Sequence, residues 1–319
     1  MAILDKTSMS LKISTAIIAL SLSTAATATK NSSEKANGDS DIVVTGPKSV
    51  KKVIARFIDS AMATPKGGKH GGQFARFSGA ICPSVKGLSA ENNLQIEERI
   101  RNVALASDIA VGRKDCAPNV HVNIVADGAE ALSLIRKKRS DMFDSVPLYK
   151  RDLIAKSGGP AYGWKRLDTI SAEANVAQRP DNVSELPSDE IDKTYVPTLH
   201  SNVKSRIKKT VKQQITRSFL LIEKDALVGL TTVQIADFAA MRSLIESEQS
   251  TNSDTPSYSI LSLFDDGNRP GDAPESVSEL DLALLSSLYN SPSDVSASMQ
   301  SSAMIHKMNK ELTVVRKED

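Results

Sequence analysis

The stretch that most restricts the fold of this chain is Ile215 to Leu244, where a nearly continuous apolar run, ITRSFLLI, leads through a short polar turn into TTVQIADFAAMRSL. A run of strand length that is apolar apart from Thr216, Arg217 and Ser218 suits a central strand covered on both faces. Thr231 or Thr232 can cap the helix that follows, and Val233, Ile235, Ala236, Phe238, Ala239, Met241 and Leu244 give it an apolar face broad enough to be largely buried. A doubly covered strand feeding a buried helix demands layers on either side. The pattern therefore predicts an α+β (mixed α/β) domain with a mixed sheet and a helical C-terminal part closed by VSELDLALLSSLY.

Upstream segments agree with that class. Val50, Val53, Ile54, Phe57, Ile58 and Met62 recur at helical spacing and predict a helix over Ser49 to Ala63, ended by Pro65 and the glycine-rich KGGKHGG with His70. QFARF, Gln73 to Phe77, alternates as a strand does, and Ser89 can cap a helix that continues to Ala106. In NVHVNIVADG, Val120, Val122 and Ile124 alternate with polar residues, and Gly128 turns the chain into AEALSLIRKKR, giving strand, turn and helix. His121 falls on the polar side of that strand. Val146 to Ala155 predicts a short helix and GWKRLDTI a strand carrying Trp164, the sole tryptophan. Ser171 to Thr198, polar and containing Pro180, Pro187 and Pro197, predicts a mobile loop. The strand pattern ending at Ile222 starts near Asn202, and its first half places Lys204, Arg206, Lys208 and Lys212 on alternate positions. That row is either a strip for an anionic polymer or, the simpler reading, a solvated edge that lysines protect from pairing.

The first residues bear on compartment. Lys6 and Lys12 precede an uncharged run, Ile13 to Ala28, which ends in Ala26, Thr27 and Ala28, the order of a secretory signal peptide over residues 1–28. It is shorter than the roughly 20 apolar residues a membrane span needs, and no other segment of the mature chain could span a bilayer. Residues 29–48 read as a flexible linker containing DIVVTG, which resembles the coupling segment of TonB-dependent outer-membrane receptors but equally describes an edge strand. The only cysteines, Cys82 and Cys116, lie in the mature part, where export would let them close a loop of about 35 residues, on the order of 4 kcal/mol in the chain-entropy model. Their spacing excludes a CxxC motif. A net charge of +2 gives no global attraction to nucleic acid or anionic lipid, and 4% aromatic content disfavours a stacking platform for single strands.

Apolar strand, buried helix, loop and closing helix in this order resemble the zincin metallopeptidases, especially the metzincins, and still more a group of uncharacterised exported bacterial proteins with zincin-like domains. FLLIEKDALVGLTTVQIADFAAMR, SILSLF and LDLALLSSLY carry the resemblance, with weaker support from GQFARF, the cysteines and NVHVNIVADG. It implies one zincin-like domain over residues 49–309 followed by a tail, 310–319. Zinc hydrolysis needs two histidines one helical turn apart, a glutamate beside the first and a third ligand. Against that pattern the helix offers Gln234, Ile235, Phe238 and Leu244, none of which can serve. Leu261 stands where a metzincin has the methionine of its turn. Asp237 and Arg242 remain as polar residues of the helix, either marking a cleft or engaged in an ion pair.

No nucleophile elbow, phosphate loop or dinucleotide fingerprint is present, and His70, His121, His200 and His306 are scattered. The residues thus favour an exported, non-catalytic zincin-like domain, periplasmic or extracellular, with no cofactor and a protein or peptide of the cell envelope as partner. The alternative is an envelope hydrolase whose groups come from distant segments, such as Asp237 with His121 or His200.

Overall fold

The computed structural model describes residues 47–65, 67–157, 159–172, 205, 207–247, 256–265 and 274–318. The expected signal segment, DIVVTG, His200, Lys204, Arg206 and all but the first two residues of the 171–198 excursion lie outside them. Among the described residues there are eight α-helices and one mostly parallel five-stranded sheet, an α+β fold.

The chain begins with α1 (Pro47–Ala61) and the single turn α2 (Gly68–Gly71), then β1 (Arg76–Phe77), β2 (Pro83–Lys86) and α3 (Ala90–Ala106). Ser89 caps α3 by accepting from the Asn92 amide, as its sequence position predicts. β3 (Val120–Val125) leads into α4 (Gly128–Lys138) and α5 (Leu148–Ala155), followed by β4 (Ala161–Ser171) and β5 (Val211–Glu223). The buried helix is α6 (Thr232–Leu244), and α7 (Glu279–Tyr289) and α8 (Ala297–Glu318) close the domain. α8 runs through the expected boundary at residue 309, because Met304 and Met308 anchor it in the core.

β2, β3 and β5 are parallel neighbours in that order. β4 lies antiparallel along the other edge of β5 over its whole length, so β1 must pair with β5 on the β3 side, at Gln214 and Ile215. β1 is consequently only two residues long, shorter than QFARF predicts. The alternation read in β3 holds: Val120, Val122 and Ile124 are buried in one core layer, with Leu220 and Ile222 of β5 beside them and α1, α3, α6, α7 and α8 contributing to it. The opposite face is a smaller aromatic cluster in which Trp164 stacks on Phe143 and Phe219 at ring distances of 4.7 and 5.2 Å.

One irregularity shapes the edge. Arg166 pairs with Arg217 but Leu167 pairs with Ile215, so Thr216 is an extra residue on β5, a β-bulge. The row Gly163, Lys165, Leu167 and Thr169 keeps one face of β4 throughout, whereas on β5 the residues opposite change from even numbers, Leu220 and Ser218, to odd, Ile215 and Gln213.

The strand predicted from Asn202 is corrected over its described part: the ladder ends at Ser171 and Val211, and residues 207–210 just before it are bends or irregular. Of the basic row, Lys208 and Lys212 are described and do not share a strand face. Lys212 is buried on β5, whereas Lys208 is exposed and 3.4 Å from Asp294.

Cys82 and Cys116 are bonded, with Cα atoms 6.0 Å apart, and tie the entrance of β2 to the loop before β3. No helix among the described residues is long and apolar enough to cross a membrane.

Candidate functional site

Two places could carry function: the core helix α6 and the outer edge of the sheet at β4. On α6, Thr231 and Gln234 form a reciprocal cap, the threonine hydroxyl accepting from the Gln234 amide at 3.2 Å and the Gln234 side chain accepting from the Thr231 amide at 3.0 Å. The other end of that side chain donates to the Pro274 carbonyl at 2.9 Å. Gln234 is thus consumed in starting the helix. Ile235 and Leu244 are buried in the main core, and Phe238 meets Phe264 edge-on at 4.7 Å. Every position where the zincin pattern would set a ligand is occupied by packed hydrocarbon or by a cap.

Asp237 is equally committed. It is 0% exposed and receives a two-pronged bond from Arg99, Nε to Oδ1 at 2.6 Å and Nη2 to Oδ2 at 2.9 Å, while the Val277 amide donates to Oδ2 at 2.9 Å. It does not mark a cleft. It fastens α6 to α3 and to the segment that enters α7.

The turn at Ser257 to Leu261 is held in a similar way. Ser259 donates to Asp281 Oδ1 at 2.5 Å, and the amides of Ile260 and Ser278 both donate to Oδ2 at 3.0 Å. Burial raises the Asp281 carboxyl above the ordinary carboxylate range, and these hydrogen bonds oppose the rise. Leu261 is buried beneath the turn.

The edge of the sheet is different. A cleft of about 1320 Å³ runs along β4, floored by Gly163, Lys165, Leu167 and Thr169, walled by α5 and the loop before it, and closed at one end by Arg242 and Glu246. Among the described residues no strand pairs with the outer edge of β4. The α5 wall presents Leu148, Tyr149 and Leu153, all exposed, to this space. Such volume exceeds the roughly 300–1,000 Å³ common for small-molecule sites and accommodates an extended segment of chain.

Lys165 lies at the floor, only 8% exposed, and donates to the Arg242 carbonyl at 2.6 Å. No acid pairs with it among the described residues. The nearby Glu246 carboxylate is instead bonded to Lys150 at 3.2 Å. Burial, reinforced by the Arg242 charge and opposed by Glu246, pushes the Lys165 amine down to about 7. A buried amine on a cleft floor marks a functional site more strongly than anything on α6.

Of the candidate site residues read from the sequence, Arg242 lines this cleft; Lys165 was missed. Its only signal was parity, since GWKRLDT places it on the same side as Leu167 and Thr169, and a lysine in a strand ordinarily reads as solvent-facing. The hydrolase pairing of Asp237 with His121 is not formed. Asp237 lies in the main core, and His121 stacks on Phe219 at 5.1 Å on the opposite face of the sheet, where burial lowers its imidazole below the usual range. His70 and His306 are exposed. Among the described residues no three His, Cys, Asp or Glu side chains converge as a metal site.

No protein-family model, curated protein or solved structure matches the chain.

Proposed function

We propose that this protein is an exported, non-catalytic binding domain with a zincin-like layout, which holds an extended peptide or protein segment of the cell envelope along β4. The observation that carries the reading is an open cleft beside an edge strand, β4, on whose outer side no further strand pairs among the described residues, next to a helix whose polar and apolar side chains are all taken up at the positions the zincin pattern would use. An exposed strand edge can take a further strand through main-chain hydrogen bonds, with alternate side chains entering the space below. Support for the layout comes from the edge strand β4, the return through β5, the buried α6 and the buried turn under Leu261, in that order. The disulfide agrees with an oxidising compartment.

The test is direct. Titrating the purified protein with extended peptides should change the fluorescence of Trp164, which borders the cleft and is the only tryptophan. Metal analysis should find no stoichiometric zinc and a peptidase assay no turnover. One tightly held zinc ion per chain together with peptide hydrolysis would overturn the reading, as would the absence of any peptide response.

A further inference from the structure

The cleft holds a charge imbalance that the binding reading does not explain. Among the described residues six lysine and arginine residues line it against two acids, Asp144 and Glu246, and Glu246 is already bonded to Lys150. At the floor, Lys165 is more than nine-tenths buried, and its one recorded bond goes to a backbone carbonyl rather than to a carboxylate. Buried cations are ordinarily paired, because an isolated charge away from water is costly. Arg242, whose carbonyl receives Lys165, lines the same cleft, and no acid of the described residues is joined to Lys165.

We propose that the floor of this cleft is a carboxylate subsite, in which Lys165, backed by the charge of Arg242, receives a carboxylate of the bound peptide. The inference rests on the peptide-binding reading and narrows it. The occupant is a peptide that combines a carboxylate for the floor with apolar side chains for Leu148, Tyr149 and Leu153 on the α5 wall. A neutral or basic peptide satisfies the wall and leaves the floor uncompensated. The carboxylate can come from the peptide's own C-terminus or from an aspartate or glutamate side chain, and both present the same acceptor oxygens to an ammonium group.

Three probe peptides of one apolar sequence separate the sources: one with a free C-terminus, its C-terminal amide, and the amide carrying a single internal glutamate. With Trp164 fluorescence as the readout, the free acid or the glutamate peptide should bind at least tenfold more tightly than the plain amide, and whichever does so identifies the source. In Lys165→Met that preference should fall to less than threefold while binding of the plain amide persists. Equal affinity of all three peptides for the unaltered protein overturns the carboxylate subsite and leaves the binding reading standing. Failure of all three to bind overturns both. Because the acid-to-amide comparison uses the unaltered protein, it holds even if the substituted protein fails to fold.

Discussion

The helix α6 and the strand β4 lie next to each other, joined by the bond from Lys165 to the Arg242 carbonyl, yet they treat polar groups in opposite ways. On α6 the two buried side chains that could be mistaken for chemistry are satisfied inside the protein: Gln234 by the cap and Pro274, Asp237 by Arg99 and Val277. On β4 the buried Lys165 amine lines an open space, and no acid among the described residues is joined to it. The residues that the zincin pattern would set as ligands thus serve the fold, and the proposed binding surface sits on an element that no motif identifies. Satisfied polar groups stabilise and specify a core, whereas an uncompensated one costs stability and is best explained by a ligand.

The contrast can be broken most sharply at Phe238. Phe238→Ala removes the edge-on contact with Phe264 and opens a core cavity, for a loss of about 3–5 kcal/mol in denaturant unfolding. A loss below about 1 kcal/mol would mean that Phe238 is not packed core. Asp237→Ala leaves the Arg99 guanidinium and the Val277 amide unpaired, and because Arg99 is 37% exposed the expected loss is about 2 kcal/mol rather than the larger penalty of a fully buried pair. Peptide affinity should stay unchanged in that variant, which separates a structural aspartate from a functional one.

Lys165→Met should act in the opposite direction, raising stability by about 1–2 kcal/mol at pH 7 while weakening ligand binding. The sign of its pH dependence is fixed. The folded state holds this amine down at about 7 and the unfolded chain near the ordinary lysine value of 10.5, so the unfolded state binds the extra proton between those limits. The contribution of Lys165 therefore makes the protein less stable as pH falls from about 10 toward 7 and levels off below. The advantage of Lys165→Met measured by urea unfolding should grow over that same window; an advantage constant from pH 7 to 10 would refute the assignment. The smallest effect is expected at Lys150→Ala. Its partly exposed pair with Glu246 contributes less than about 1 kcal/mol, to be checked as a shift in unfolding midpoint.

Much of the fold was legible because its elements are patterned at their own period. Val120, Val122 and Ile124 alternate into one layer, Ser89 caps its helix, and the apolar breadth of α6 made its burial plain. Two features were not. The strand reading failed over residues 207–210 because strand propensity is local while a strand needs a partner, and β4 ends at Ser171. The site escaped because its lysine lies in a strand whose cleft-facing side can be told from its solvent-facing side only once β5 and α6 are in place. The disulfide was foreseeable in principle, since two cysteines leave one intramolecular pairing, but their approach to 6.0 Å depends on β2 and β3 being neighbours.

The bulge at Thr216 makes the composition of the cleft a matter of counting. With one extra residue on β5, Val211 and Gln213 reach the cleft while Lys212 turns away from it. Were Thr216 instead taken into the ladder opposite Leu167, odd and even would reverse along the lower half of β5, carrying Lys212 and Gln214 into the cleft and Val211 and Gln213 out of it. A shift in reading along one strand, with no substitution anywhere, is therefore enough to rewrite what this surface can recognise.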